Sequence, residues 1–187
     1  IAALRAAGLD NEAMCDVFRQ HPRPLRLMRP ARRPWRGLME LGPLLALLRA
    51  LLPARFEQLQ VPLAVGVRTA SGGHRLLHEG PLPEAVVASC AIPMVFAPVT
   101  LAGEALSDGG AVDRLGIDAW RNWRPGRQGI VHRVQPRAGR EPETDTRDLR
   151  MVQTPASRAS FWSLGDLERQ TREAEEITRG ALAAGRT

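Results

Sequence analysis

The sequence predicts an α/β fold in which a mostly parallel central sheet is flanked by helices. Residues 61–69 are rich in β-branched side chains and apolar on both faces, a pattern typical of a buried strand in a parallel sheet. Helical patterns occur on either side of this strand along the chain. The leucines of residues 44–52 form an apolar face, and residues 164–184 carry an apolar stripe among Glu and Arg. This mixture of strands and helices predicts the α/β class.

The first part of the chain is predicted to be helical. Residues 1–9 have the pattern of a helix that ends near Gly8, and Asp10 or Asn11 can cap a second helix. Residues 19–36 contain interleaved prolines, which favour a loop over an amphipathic helix. Pro43 can then start the helix over residues 44–52.

Strand and helix signals alternate after residue 69. We predict that Ser71-Gly-Gly73 is a hairpin loop. Further along, the sequence predicts a return strand over 74–78, a helix over 83–90, and short strands near Val95, Val99 and Ala105. The last predicted elements are a strand over 128–134, an exposed connection over 138–160 and an amphipathic helix over 164–184.

Composition and cysteine usage are those of an ordinary globular protein. Hydrophobic residues make up 44% and charged residues 25% of the 187 residues, enough for one domain with a sizeable core. No apolar run has the length of a bilayer span, and no charged-then-apolar start marks a signal peptide. Two cysteines do not make a disulfide framework, and Cys90 is predicted to be a buried thiol. Neither cysteine has a His or Cys at metal spacing, so no metal site is indicated. We also expect no cofactor.

One acidic residue, Asp108, follows a short apolar run and precedes two glycines, Gly109 and Gly110. A general base must be held at hydrogen-bond distance from a reacting group, and the end of a strand provides such a rigid position. Asp-Gly-Gly alone is also a common turn signal. The tripeptide by itself therefore leaves both a catalytic carboxylate and a plain turn open.

The surrounding residues extend this motif. Residues 88–99 read Ala-Ser-Cys-Ala-Ile-Pro-Met-Val-Phe-Ala-Pro-Val, and a glycine-containing spacer leads from them to Asp-Gly-Gly. Together with residues 56–63 and 79–84, this stretch resembles the C-terminal half of the patatin-like phospholipase domain. The resemblance implies a patatin-like three-layer sandwich whose N-terminal part is missing. Residues 1–137 would be the C-terminal portion of that domain, and residues 138–187 a polar connection and a C-terminal amphipathic helix.

The resemblance also implies hydrolysis of lipid esters by a serine–aspartate dyad. Asp108 is carried over as the catalytic aspartate, with Gly109 and Gly110 as its active-site loop. The family's nucleophile motif, Gly-x-Ser-x-Gly, does not occur in the chain, which looks as if it begins just after that motif. We therefore expect the isolated chain to be inactive. An alternative is a non-catalytic patatin-like remnant that binds lipid or a protein partner.

Two features weigh on these alternatives. The family usually has an asparagine and a proline soon after Asp-Gly-Gly, where this chain has Asp113 and Gly116. The serines at positions 71, 89 and 107 are interpreted as loop or packing residues, and none of them as a nucleophile.

The net charge is +6, and every one of the 26 basic residues is arginine. Residues 19–36 could touch anionic lipid head groups on a membrane surface, or form a solvated loop, which is the favoured interpretation. Charge alone does not identify a nucleic-acid-binding protein, and no nucleic acid is expected as a partner. We expect a lipid ester as substrate, and a cytoplasmic or peripheral membrane location in a bacterium.

Overall fold

A computed structural model describes residues 1–135, 146, 149–157, 159–160 and 162–184. The chain forms two compact units, Ile1–Ala119 and Trp120–Thr187. The domain boundary predicted at residue 137 lies outside the described residues and stays a prediction. Among the described residues, no helix combines the length and the apolar character that a membrane span requires.

The first unit opens with helices that the sequence predicts. Helix α1 spans Ala2–Ala6 and α2 spans Asn11–Gln20. The side chain of Asp10 caps α2, because its Oδ1 accepts a hydrogen bond of 2.8 Å from the backbone N–H of Ala13. The segment that follows contains two 3-10 turns, each with a proline near its start, and the two-residue strands β1 (Arg29–Pro30) and β2 (Met39–Glu40). The loop predicted there is thus largely confirmed.

Helices α3 (Gly42–Leu51) and α4 (Leu82–Ala88) form around the hydrophobic core of the first unit. Each has a proline in its first turn, where the missing N–H leaves no hydrogen bond unmade. Leu82, Ala85 and Ala88 of α4 are fully buried. On α3, Leu48 is buried and packs in the same apolar cluster as Leu82. The predicted helices are confirmed, with shifts of one or two residues at their ends.

Four strands of the first unit form one sheet in the order β4-β3-β6-β5. These are β3 (Val65–Arg68), β4 (His74–Leu77), β5 (Val99–Leu101) and β6 (Glu104–Asp108). All three neighbouring pairs are antiparallel. Short hairpins join β3 to β4 and β5 to β6, and a connection of that length allows only antiparallel pairing. The parallel order predicted for residues 61–69 is therefore not found in this sheet.

The second unit contains the parallel pair. Strand β7 (Gly129–Val134) pairs in parallel with β8 (Leu149–Thr154), and helix α6 spans Leu167–Ala184. Helix α5, Ile117–Trp123, spans the boundary between the units. The predicted C-terminal helix is confirmed, and β7 is found where the last strand is predicted. The exposed connection predicted over 138–160 is corrected, because β8 lies within it and its Val152 is buried.

Candidate functional site

Asp108 is the last residue of β6, on the strand that lies between β3 and β5. Two backbone contacts fix its position. It stands opposite Val67 in the β3–β6 register, and its N–H donates a hydrogen bond of 2.9 Å to the carbonyl oxygen of Ala91. Val67 is fully buried, and Ala91 is too. The Asp108 main chain is therefore tied on both sides to the core of the first unit.

Asp108 as a residue is half-buried, and one oxygen of its carboxylate is engaged in a hydrogen bond. Its Oδ1 accepts a hydrogen bond of 2.8 Å from the N–H of Gly110, and caps the 3-10 turn Gly109–Ala111. Its Oδ2 makes no hydrogen bond or ion pair with the residues that the structure describes. One oxygen thus orients the group, and the other has lone pairs that can accept a proton.

The two glycines after Asp108 differ in how much space surrounds them. Gly109 packs against the backbone of β3, and a Cβ atom built there would lie 2.5 Å from the carbonyl carbon of Gly66 and 2.7 Å from the nitrogen of Val67. At Gly110, a Cβ atom would lie 3.2 Å from Asp108 Oδ1. Close approach of main chain to main chain therefore requires glycine at position 109, whereas position 110 has more room.

Cys90 is an ionisable residue near Asp108, next in sequence to Ala91. The residue has an exposed surface, which corrects the prediction of a buried thiol. The atoms packed around its sulfur still desolvate the thiolate, and this raises the pKa of Cys90. The exposed surface of Cys90 lets a reagent reach the residue, whereas the packing around its sulfur determines how readily the thiol ionises.

Two side chains act on the thiol of Cys90 besides this desolvation. The hydroxyl of Ser89 lowers the pKa of the thiol, and the Asp108 carboxylate raises it. Asp108 is therefore close enough to the sulfur to affect it.

The three serines considered in the sequence occupy different environments. Ser71 is exposed in the β3–β4 hairpin loop, where its hydroxyl lies 2.9 Å from that of Thr69. Ser89 ends α4 and donates a hydrogen bond of 2.9 Å to the carbonyl oxygen of Val86. Ser107 is buried in β6 beside Asp108. These contacts suit loop and packing roles for all three hydroxyls.

Asp113 also belongs to a turn of its own. Its Oδ1 accepts hydrogen bonds from the N–H groups of Leu115, at 3.1 Å, and Gly116, at 2.8 Å. Gly116 has a positive φ of 63°, which favours glycine there. The residues that replace the family's usual asparagine and proline thus make an ordered turn.

Within the described ranges, no group of three or more His, Cys, Asp or Glu could hold a metal ion.

These features define an α/β protein with a strand-end carboxylate that is oriented by its own turn and able to accept a proton. The family model of patatin-like phospholipases matches residues 1–120, more than half of the chain. The chain therefore belongs to the patatin-like phospholipase family, whose members act on lipid esters. The matched residues include Asp108, Gly109 and Gly110, which the structure brings together in one turn. No curated protein matches the chain.

Proposed function

We propose that this chain is the aspartate-bearing part of a lipid acyl hydrolase that works through a serine–aspartate dyad, with Asp108 as the base. The observation that carries the proposal is the Asp108 carboxylate, which has Oδ1 held by Gly110 and Oδ2 without a partner among the described residues. An oriented carboxylate with one unengaged oxygen meets the requirement for a general base. Family membership over residues 1–120 supports the choice of lipid esters as the substrate class.

The serine of the proposed dyad would come from residues that precede Ile1 in the natural protein, because no Gly-x-Ser-x-Gly occurs within the chain. The resemblance supports this arrangement, because residues 1–9 are similar to the helix that follows the nucleophile motif in patatin-like proteins.

Each step of the proposed reaction has a defined proton acceptor. The serine Oγ bonds to the ester carbonyl carbon while Asp108 takes the hydroxyl proton. The tetrahedral intermediate then collapses, the bond to the alcohol breaks, and the alcohol leaves with that proton. Water attacks the acyl-enzyme in the same way, with Asp108 accepting its proton and returning it to the serine. Ester and water are thereby converted into acid and alcohol.

Substitution of Asp108 by asparagine tests this proposal in the protein as its natural source makes it. Asparagine keeps an Oδ1 that can accept from Gly110 but cannot act as a base, so we expect ester hydrolysis to fall by about 10²–10⁴-fold. The measurement is turnover of a fluorogenic ester, together with labelling by a fluorophosphonate that reacts with activated serines. Wild-type turnover in Asp108→Asn would refute the role of Asp108.

Asp113→Asn is the matched control, since it removes one carboxylate charge from a neighbouring turn and leaves the Asp108 turn intact. We expect near wild-type turnover for this variant. The alternative function, a non-catalytic remnant that binds lipid or a protein partner, predicts neither turnover nor fluorophosphonate labelling in the wild-type protein. That outcome would replace the hydrolase proposal.

We also propose a peripheral membrane location, through contact of residues 19–36 with an anionic membrane surface. This segment holds seven arginines and no acidic residue. Trp35, at its end, is 80% exposed and the nearby Leu38 is 66% exposed. Tryptophan at the level of the head groups and arginine beside anionic lipid both favour such contact. Salt-dependent binding to vesicles tests the proposal.

A further inference from the structure

A cavity of about 390 Å³ lies in the first unit, and Asp108 is not among its lining residues. Its apolar walls come from three elements: the start of α3, the α4 helix, and the start of β5. The wall residues are Leu41, Leu45, Val87, Pro98 and Val99. Leu41 and Val87 are buried members of the core. The volume falls in the range of about 300–1,000 Å³ that is usual for small-molecule sites.

Three arginines, Arg32, Arg33 and Arg36, also line this cavity, which we call the arginine pocket. All three are exposed residues of the segment between β1 and β2. The guanidinium groups of Arg33 and Arg36 make no hydrogen bond or ion pair with any residue in the described part of the chain. Planar guanidinium groups of this kind bind phosphate and carboxylate through paired hydrogen bonds.

Glu40 is the acidic residue of the pocket lining, and its carboxylate is already engaged. Oε1 accepts from the backbone N–H of Arg32 at 3.1 Å, and Oε2 accepts from the Arg29 guanidinium at 3.1–3.2 Å. The hydrogen bond from Arg32 and the contact with Arg29 lower the pKa of Glu40. Since Arg29 balances Glu40, the charges of Arg33 and Arg36 are left for a ligand.

We propose that the arginine pocket binds a single-chain amphiphilic anion, with its phosphate or carboxylate head at Arg33 and Arg36 and its alkyl chain against the apolar walls. The proposal depends on the combination of apolar walls with arginines. Apolar walls alone would bind any hydrophobic molecule, and exposed arginines alone would bind any anion. A phosphate head and a carboxylate head share the same recognition chemistry here. Binding at this pocket goes beyond the proposed hydrolysis at Asp108 and requires no turnover.

Titration calorimetry with alkyl phosphates below their critical micelle concentration tests the proposal, because these ligands contain no carboxylic ester that the proposed hydrolysis could consume. Octyl phosphate should bind more tightly than butyl phosphate, and inorganic phosphate should bind weakest. Each methylene that enters the pocket should tighten binding by up to about fourfold. Octanoate in a parallel titration distinguishes a fatty-acid ligand from a phosphoryl-headed one. Equal affinity for octyl phosphate and inorganic phosphate would overturn the proposal.

Two charge-matched variants localise the binding. Arg33→Gln combined with Arg36→Gln should weaken octyl phosphate binding by at least about tenfold, because hydrogen bonds to a charged group are lost. Arg23→Gln combined with Arg26→Gln removes the same charge from the same segment, but neither residue lines the pocket. This control should bind within about threefold of the parent protein, since distant exposed charges are screened by salt. Equal losses in both variants, or no binding by the parent, would refute the pocket.

Discussion

At the scale of single residues, the ionisation of Cys90 reports on the position of Asp108. Desolvation raises the pKa of the thiol, and the negative charge of Asp108 adds to this rise. The thiolate fraction at neutral pH is therefore smaller than for an ordinary cysteine, and alkylation should be slow. We predict that Asp108→Asn lowers the pKa of Cys90, so that the midpoint of the pH profile of iodoacetamide labelling moves to lower pH.

The labelling is best measured in a Cys15→Ser background, where Cys90 is the cysteine of the chain that remains. Asp113→Asn serves as the comparison because Asp113 is not among the groups that shift the thiol. If Asp108→Asn and Asp113→Asn shifted the labelling midpoint equally, the shift would come from the change in net charge and not from the position of Asp108. An unchanged midpoint in Asp108→Asn would mean that its carboxylate does not act on the sulfur.

The sequence predicted the location of Asp108 well and its surroundings less well. A carboxylate at a strand end followed by glycines is a local feature, so residues 105–110 suffice to predict it. The hydrogen bond to Ala91 and the closeness of Cys90 depend on contacts between segments distant in sequence. The same is true of the arginine pocket, whose apolar walls come from residues 41, 45, 87, 98 and 99. No local pattern contains that information.

At the scale of elements, the turn Gly109–Ala111 can lie directly against β3 because Gly109 has no side chain. We predict that Gly109→Ala lowers the free energy of unfolding by about 1–3 kcal/mol, the usual cost of overpacking. The clash would be with the main chain of Gly66 and Val67, at 2.5–2.7 Å, and a strand paired on both edges cannot easily move. Urea denaturation followed by circular dichroism measures the change.

Gly110→Ala is the paired control for this substitution. Its Cβ would lie 3.2 Å from Asp108 Oδ1, so a small rotation of one side chain can relieve the contact. Alanine also reduces the entropy of the unfolded chain, which offsets part of any strain. We expect a change within about 0.5 kcal/mol, as for substitutions away from packed features. Equal destabilisation by the two substitutions would contradict the close packing of Gly109 on β3.

Helices were predicted more reliably than strand order, for a physical reason. Helical spacing and capping are local, and α3, α4 and α6 follow from leucine spacing, prolines and an apolar stripe. Strand direction depends on the connections, and the hairpins after β3 and β5 make those pairs antiparallel. Strand β8 was missed because residues 138–160 are polar overall, although Leu149, Val152 and Thr154 are buried.

At the scale of the whole molecule, the family match and the compact units agree closely. The match ends at residue 120 and the first unit at Ala119. Asp108, the arginine pocket and residues 19–36 all belong to this first unit. The motifs that carry the resemblance in sequence lie between residues 56 and 110, within this same part of the chain. The net charge of +6, in contrast, belongs to the entire chain and does not by itself indicate a partner.

Membrane contact through residues 19–36 predicts a charge effect that depends on position. Vesicles containing anionic lipid should bind the protein, and binding should weaken as salt is raised. Each arginine near such a surface contributes about 1 kcal/mol, so Arg23→Gln combined with Arg26→Gln should weaken vesicle binding by about tenfold or more. The same variant leaves the arginine pocket intact, which separates contact with a surface from binding of a monomeric amphiphile.

Arg127→Gln combined with Arg172→Gln provides the control, because it changes the net charge equally at exposed residues of the second unit. If general attraction between a basic protein and an anionic surface were sufficient, both double variants would lose affinity alike. A specific contact through residues 19–36 requires that the Arg23→Gln and Arg26→Gln variant lose more vesicle affinity than this control.

Trp35→Ala should also weaken vesicle binding. Neutral vesicles should show part of this effect, because transfer of an indole ring to the head-group region does not depend on salt.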